Sequence, residues 1–166
     1  MGRVTRVCRR RVTYLKGDAT CPQAKGTTLI CHVCNDTGGW GKGFVLAVSR
    51  RWPEPEAAYR TWYAGGKRAG FGLGAVPFVR VGRFIWVANM VAQRGTKTGS
   101  SGPPIRYDAA AACLGPAAEK AAGLAATVHM PRIGCGLAGG DWSRVGPLVE
   151  GQLCDRGVSV TVYDFE

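Results

Sequence analysis

The sequence predicts an α/β sandwich built on a mixed central sheet. Strand-like and helix-like segments alternate along most of the chain, which is the pattern of proteins whose helices cover a sheet. Two strand-like segments, 74–82 and 83–92, meet at Gly82-Arg83, which predicts an antiparallel pair and excludes a purely parallel sheet. A chain of 166 residues can bury one sound core, so we expect a single domain.

The pattern of apolar residues and the positions of proline and glycine predict the elements before the antiparallel pair. They are strands at 10–17 and 27–34 and helices at 44–52 and 54–66. The second strand is almost continuously apolar, which is typical of a strand buried on both faces. Pro53 closes the first helix, and Glu54 and Glu56 lie favourably in the first turn of the second. Pro77 predicts that the strand it begins lies at the sheet edge.

The second half of the chain predicts a loop, two helices and two strands. They are the loop at 96–104, helices at 105–126 and 141–154, and strands at 127–133 and 158–165. Gly115-Pro116 interrupts the first of these helices, and we expect the helix to kink or restart there, because proline lacks the amide and clashes with the preceding turn.

Positive charge is the strongest global feature. The formal net charge is +11, which suits a polyanionic partner such as nucleic acid or a phosphate-bearing ligand. Five arginines fall within the first eleven residues, so residues 1–10 are interpreted as a basic arm that is either solvated or holds an acidic partner. Along the sequence no stripe of aromatic and basic residues typical of single-strand binding is evident.

Composition also narrows location and metal content. No uncharged apolar run approaches the ~18–20 residues that span a bilayer, and the N-terminus has no secretory h-region. Seven cysteines without such a signal favour a reducing cytoplasm, and abundant arginine, alanine and glycine hint at a bacterial source. Cys31, His32 and Cys34 resemble half a zinc site, but the other half is missing. We expect buried cysteines and no metal.

The segment 134–140 contains a G-x-G-x-x-G run that leaves a strand and enters a helix. Gly134, Gly136 and Gly139 supply the run, which is the setting in which glycines cradle a dinucleotide pyrophosphate. Only one helix and one strand follow it, whereas a dinucleotide dehydrogenase needs further strand–helix units downstream. The run therefore predicts a diphosphate site within a smaller fold.

A second glycine loop, 38–43, also joins a buried strand to a helix. Four of its six residues are glycine, and Gly43 stands where a Walker motif requires serine or threonine. Successive amides and the helix start at Phe44 can bind an anion, although a flexible turn is the alternative. If strands 27–34 and 127–133 are neighbours, both loops face one crevice and grip one diphosphate.

Four motifs carry a family resemblance. "VTYLKGDAT", "HVCNDTGGWGKG", "HMPRIGCGLAGGDW" and "VTVYDF", in this order, closely resemble the macrodomain, the ADP-ribose-binding fold. Within it they look most like the branch of the terminal ADP-ribose protein glycohydrolase and of the bacterial antitoxins that remove ADP-ribose from DNA. The resemblance covers 11–166 and implies a three-layer α/β/α sandwich with a mixed central sheet, ADP-ribose as ligand and no cofactor.

The resemblance also implies roles for individual residues. Asp18 and Ala19 would bind the adenine, Tyr163 and Phe165 would flank it, and Asn35 and Asp36 would lie near the distal ribose. That ribose and a phosphate would be wrapped by Gly39, Trp40, Gly41, Lys42 and Gly43. The diphosphate would be cradled by Gly134, Cys135, Gly136, Leu137, Ala138, Gly139 and Gly140. Asp18 as a turn acid, and the two aromatic residues as strand core, are the open alternatives.

The chain departs from this branch at its catalytic positions. The resemblance implies a lysine after a mid-sheet strand and an aspartate after the Gly-Cys-Gly-Leu segment, but Gln93 and Ala138 stand there. A covalent lysine step is therefore not expected, unless Lys97 takes that place. Gln93 is the candidate that orients a water, assisted by Asn35 or Asp36.

Other reactive side chains have structural interpretations. Asp141 precedes a helix and is expected to cap it. His32 and His129 lie in strands and are expected in the core. Cys135 is expected to contribute its amide rather than its thiol.

Three functions remain compatible with the sequence. The first is hydrolysis of ADP-ribosyl esters on the glutamate and aspartate side chains of proteins by a monomeric cytoplasmic enzyme. The second is reading of ADP-ribose without turnover. The third is removal of ADP-ribose from DNA, which the net charge favours and the missing lysine disfavours.

Overall fold

A computed structural model describes residues 11–96 and 102–165. The strands are β1 (Thr13–Lys16), β2 (Thr28–Asn35), β3 (Phe78–Gly82), β4 (Ile85–Gln93), β5 (Thr127–Pro131) and β6 (Val160–Asp164). The helices are α1 (Phe44–Arg51), α2 (Glu54–Gly65), α3 (Tyr107–Leu124) and α4 (Trp142–Gln152). Short 3₁₀ turns follow α2 at Gly66–Ala69 and α4 at Cys154–Arg156.

The six strands form one mixed sheet in the order β1-β6-β5-β2-β4-β3. All neighbouring strands run parallel except β3, which pairs antiparallel with β4. This confirms the predicted mixed sheet and the pair around Gly82, and Pro77 does precede an edge strand. Because the parallel strands share one direction, their carboxyl ends meet at one edge of the sheet, where ligands of open α/β sheets bind.

Helices cover both faces of the sheet, as a three-layer sandwich requires. Leu29 and Met90 pack against α3 and α4, whereas Ile30 and Val87 pack against α1 and α2. Neighbouring strand residues point to opposite faces, so an almost continuously apolar β2 serves both cores. Full burial of a side chain of this size stabilises the fold by about 1.5–3 kcal/mol.

Helix α3 continues through Pro116, so of the two expectations for this residue the restart is wrong, while the kink stays a prediction. Proline costs a helix about 3 kcal/mol by removing one amide and crowding the preceding turn. On both sides of Pro116, however, α3 buries Cys113, Ala117 and Ala121 against the sheet. Tertiary burial along one face of the helix therefore outweighs the local penalty.

Two sequence predictions fall outside the described residues. The basic arm at 1–10 is one, and Lys97, with most of the loop at 96–104, is the other. Among the helices that the structure describes, none is long and apolar enough to cross a membrane.

Candidate functional site

A crevice opens between β2 and β5 at the carboxyl edge of the sheet. The two strands pair only from Thr28 to Ile30 on β2, so their later residues diverge. The loop 38–43 follows β2 and the loop 134–140 follows β5, and both stand over this opening. The Leu137 side chain lies 3.3 Å from the position that a Cβ on Gly43 would occupy. The two glycine loops therefore converge, as expected if their strands are neighbours.

Three connected cavities make up the cleft under these loops. The middle cavity is about 360 Å³, and the two that flank it are about 350 Å³ each. Gly43 and Phe44 line both the middle cavity and the one near β1 and β6, while Gln93 and Leu137 line both the middle cavity and the one near β4. Volumes of this size are those of small-molecule sites.

The middle of the cleft is suited to an anion. Helix α1 begins at Phe44 behind Gly43, whose φ of 81° favours glycine, and no side chain caps this helix end among the described residues. The first turn of α1 holds no acidic residue, and the exposed Lys42 precedes it. Amides at an uncapped helix start and a nearby ammonium group favour phosphate binding.

The loop 134–140 is a closed backbone turn with one open position. The amide of Gly140 donates to the carbonyl of Gly134 at 2.7 Å, and that of Gly139 donates to Gly136 at 3.0 Å. A Cβ on Gly140 would meet the Gly134 carbonyl, so that position excludes a side chain. A Cβ on Gly136 would have no heavy atom within 4 Å. The loop is therefore rigid where it packs and open at Gly136, which lines the middle cavity.

The loop 38–43 is held by side chains despite its glycines. The Asn35 amide donates to the Gly39 carbonyl at 2.9 Å, and its oxygen accepts from the Gly39 amide at 3.1 Å. The buried Tyr59 hydroxyl accepts from the Gly38 amide at 3.0 Å and donates to the Asn35 carbonyl at 2.8 Å. Trp40 is buried and donates from its ring nitrogen to Ser49. Asn35 is thus engaged in positioning the loop.

Sequence reasoning missed Tyr59. It lies 24 residues from Asn35, within an amphipathic helix where an aromatic residue signals only core packing. Burial raises the pKa of the Tyr59 hydroxyl, so the group stays protonated and keeps its donor.

Gln93 and Asp36 meet at the β4 end of the cleft. Gln93 lines both adjoining cavities, and its amide nitrogen donates to the Gly95 carbonyl at 2.9 Å. Asp36 accepts from the Gly95 amide at 2.8 Å. Gln93 and Asp36 therefore bind the carbonyl and the amide of the same residue, Gly95. The bond to the Gly95 carbonyl fixes the direction of the Gln93 amide, and the bond from the Gly95 amide to Asp36 stabilises the turn.

The opposite end of the cleft is an apolar pocket beside β1 and β6. Asp18, Ala19, Tyr163 and Phe165 all line it. One oxygen of Asp18 accepts from the amide and the hydroxyl of Thr20, at 2.8 and 2.7 Å, so Asp18 does act as a turn acid. Phe165 is 83% exposed.

Tyr163 is part of the buried strand core and of this pocket at once. It is 2% exposed. Its hydroxyl accepts from the Gln23 amide at 3.0 Å and lies 2.9 Å from Nδ1 of His129. The other ring nitrogen of His129, Nε2, lies 2.8 Å from the Thr127 hydroxyl, so both ring nitrogens have a hydrogen-bond partner.

The structural interpretations of Asp141, His32 and His129 are confirmed. Asp141 caps α4 by accepting from the Ser143 amide at 2.9 Å. His32 and His129 are buried, and burial lowers the pKa of each to about 4. Burial raises the pKa of the Cys135 thiol, which keeps it protonated.

The cysteines of β2 are buried and do not converge. Cys31 belongs to the core on the α3 side and Cys34 to the core on the α1 side. Within 11–96 and 102–165, no group of three histidine, cysteine or carboxylate side chains is placed to hold a metal ion.

Together the fold and the cleft define an α/β protein with a crevice suited to phosphate where its parallel strands end. The chain is 58% identical to a macrodomain protein from Streptomyces coelicolor, covering 93% of this chain and 99% of that one with a TM-score of 0.82. It is 26% identical to the macrodomain of Mycobacterium tuberculosis DarG, covering 93% and 97% with a TM-score of 0.72. The chain belongs to the macrodomain family.

The curated relatives are larger proteins. The chain is 32% identical over 163 residues to the Danio rerio chromodomain-helicase-DNA-binding protein 1-like, and this match covers 92% of the chain. The chain spans only 15% of the length of that protein. A scan against protein-family models finds no match. These findings confirm the resemblance and the α/β sandwich, and they leave the reaction open.

Proposed function

We propose that the protein binds ADP-ribose in this cleft and hydrolyses ADP-ribosyl esters on glutamate and aspartate side chains of proteins. The observation that carries the proposal is the convergence of loops 38–43 and 134–140 over one crevice, with Gln93 at its β4 end. A diphosphate held between two sets of amides leaves an adenosine on one side and a ribose on the other.

The cavities fit this order of groups. The pocket beside Tyr163 is largely apolar and suits an adenine ring, which stacks on or packs against aromatic and aliphatic side chains. The middle cavity has the start of α1 and the open Gly136, which suits the diphosphate. The cavity near β4 is lined by Asn35, Lys42 and Gln93, and these polar side chains suit the hydroxyl groups of a distal ribose.

The chemistry requires little general-acid help. An ADP-ribosyl ester breaks at the anomeric carbon through an oxocarbenium-like state, as in glycoside hydrolysis. The carboxylate leaves with the bonding electron pair, and water forms the new bond to the anomeric carbon. The Gln93 oxygen accepts a hydrogen bond from that water, since its nitrogen is held by Gly95. The proton passes to a ligand phosphate and then to solvent.

This mechanism predicts a slow enzyme. Positioning and polarisation act without a strong base, and the missing general base is worth about 10²–10⁴-fold in rate. The family resemblance implies a lysine near Gln93 for a covalent mechanism, which we do not expect in this chain unless Lys97 takes that place.

The reaction is tested with two substrates. The protein is incubated with glutamate-linked and with thymidine-linked ADP-ribosyl substrates, and released ADP-ribose is measured. Release from the first supports the proposal, and release from the second alone supports a nucleic-acid hydrolase, which the net charge of +11 favours. Calorimetry with ADP-ribose, ADP and NAD detects a reader, which binds ADP-ribose but releases nothing from either substrate.

Gln93→Ala tests the mechanism. We expect single-turnover release to slow by about tenfold to hundredfold while the affinity for ADP-ribose changes little, because Gln93 acts on the water. Gln152→Ala, on α4, is the matched control and should leave the rate unchanged. An unchanged rate in Gln93→Ala would remove Gln93 from the mechanism.

A further inference from the structure

A second groove lies at the opposite end of the strands from the two glycine loops, and Arg50 lines both this groove and the apolar pocket of the ADP-ribose cleft. The groove is formed where β2 and β4 begin, beneath the end of α1 and the segment 20–26, and its volume is about 600 Å³. Its lining includes Thr20, Thr28, Arg50, Arg51, Trp52 and Phe84. None of the described residues that line it is acidic, and two are arginines. The groove is therefore positive, and it is larger than each single cavity of the cleft.

Cationic and aromatic side chains alternate beyond the groove over the β3–β4 turn. The Arg83 guanidinium lies 5.3 Å from the ring of Phe84, which is 52% exposed. Arg80 donates to the Arg83 carbonyl at 2.9 Å and lies 5.8 Å from the Trp86 ring. The Lys120 ammonium lies 4.2 Å from the same ring. We call the groove and these residues the hairpin-edge surface.

Several side chains of the hairpin-edge surface are fixed before any partner arrives. Arg51 donates from Nε to the Thr20 hydroxyl at 2.9 Å, and Arg80 is bonded to the turn carbonyls of Gly82 and Arg83. The described bonds of Arg51 do not include its terminal nitrogens. Cations already oriented lose less conformational entropy on binding than free ones.

An exposed aromatic ring beside cations, here Phe84 beside Arg83, is the chemistry of single-strand binding. Bases stack on aromatic faces at about 1–3 kcal/mol each, while arginines track the phosphates. An acidic peptide would use the charges but not the Phe84 ring. A duplex keeps its bases stacked and offers no face to that ring.

We propose that the hairpin-edge surface binds single-stranded nucleic acid, outside the part of the ADP-ribose cleft that the two glycine loops form. The alternation of Arg83, Phe84 and Arg80 with the arginine-lined groove carries this proposal. It also gives part of the positive charge a place on the fold, since the ADP-ribose cleft uses backbone amides more than basic side chains.

Fluorescence anisotropy with a labelled oligothymidylate of about 20 nucleotides tests the proposal. We expect binding that weakens with salt. Phe84→Leu should weaken binding by about fivefold or more because it removes the stacking face, whereas Phe84→Trp should keep it. Arg83→Glu should weaken binding more than Arg68→Glu, a matched reversal on the 3₁₀ turn after α2. Thermal unfolding checks that each variant folds.

Several results would overturn the proposal. The first two are no binding of the oligonucleotide at low salt, and equal losses of affinity in Arg83→Glu and Arg68→Glu. The others are unchanged affinity in Phe84→Leu, and a polyglutamate peptide or duplex DNA that binds as tightly as the oligonucleotide. Displacement of the oligonucleotide by saturating ADP-ribose would place it in the cleft instead. The variants lie outside that cleft, so their affinity for ADP-ribose, measured by calorimetry, should not change. This measurement distinguishes failure of the nucleic-acid proposal from failure of the proposed hydrolase.

Discussion

The two edges of the central sheet hold two different kinds of surface. At the carboxyl edge, the cleft is built from the backbone of loops 38–43 and 134–140, with a few side chains that hold those loops in place. At the opposite end of the strands, the hairpin-edge surface is built from arginine and aromatic side chains of α1 and the β3–β4 hairpin, with Lys120 of α3 beside Trp86. One edge presents backbone dipoles, and the other presents charged and aromatic side chains.

This difference decides how each surface responds to change. Amides at a helix start are close to a bound phosphate and do not titrate, so substitutions act there through shape and local charge. Arginines at an exposed groove attract a partner through charges that salt screens. We therefore expect salt and charge reversal to weaken binding at that surface. Substitutions at one edge should therefore leave the other edge intact.

The largest expected effect is at Gly136. A glutamate there projects into the open middle cavity, where it fills space and repels a diphosphate. We expect Gly136→Glu to lower the affinity for ADP-ribose by at least about a hundredfold, because like charges in contact cost several kcal/mol. Calorimetry measures this loss.

Gly123→Glu is the matched control for that variant. Gly123 lies on the exposed side of α3, and a Cβ there also meets nothing within 4 Å. It adds the same charge without entering the cleft, so the ADP-ribose affinity should not change. Undiminished affinity in Gly136→Glu would contradict the assignment of the diphosphate to this loop.

A smaller effect is expected at Tyr59. Tyr59→Phe keeps the ring in the core but leaves the Gly38 amide and the Asn35 side chain without the hydroxyl that holds them. We expect the free energy of unfolding to fall by about 1–2 kcal/mol, as for a lost buried hydrogen bond. We also expect about tenfold weaker binding of ADP-ribose but not of ADP, which lacks the distal ribose.

Denaturant unfolding and calorimetry with both ligands check this prediction. Tyr63→Phe is the control, because Tyr63 lies on the same helix and is 42% exposed. Equal losses of ADP-ribose and ADP affinity in Tyr59→Phe would show that the loop 38–43 does not act on the distal ribose.

The smallest effect on ADP-ribose binding is that of pH, which acts on the stability of the strands shared by both edges rather than on the cleft. His32 and His129 have folded pKa values of about 4, below the ordinary value of 6.5, because burial disfavours the charged ring. Between pH 6.5 and 4 the unfolded chain binds more protons, so stability is present above that window and is lost as pH falls. The free energy of unfolding should fall by about 1 kcal/mol per pH unit for each histidine.

Urea unfolding between neutral pH and pH 4.5 measures this slope. His129→Gln should remove about half of the fall in the free energy of unfolding between the two pH values. This expectation does not depend on the stability of the variant at neutral pH. A slope unchanged in His129→Gln would mean that other groups account for the acid sensitivity.

The cleft could be predicted because its parts are contiguous in sequence. Each glycine loop joins one strand to one helix, so the motif, its strand and its helix are read together. What brought the loops together was the pairing of β2 with β5, about 100 residues apart along the chain, which sequence reasoning could state only as a condition.

The support of the cleft could not be predicted in the same way. The bonds from Tyr59 to the loop, and from Asp36 to Gly95, join residues that are distant in sequence. The continuous helix through Pro116 is a similar case, because local propensity opposed it and burial decided it.

The sequence by itself determined the order of strands and helices, the two amide-rich turns and the excess of positive charge, since each of these is a property of neighbouring residues. Only the tertiary structure decided which basic and aromatic residues lie together. Arg51 of α1 and Phe84 of the β3–β4 turn line one groove only after the sheet and its helices pack. Side chains far apart in the chain acquire a common function through packing, and packing depends on every long-range contact at once.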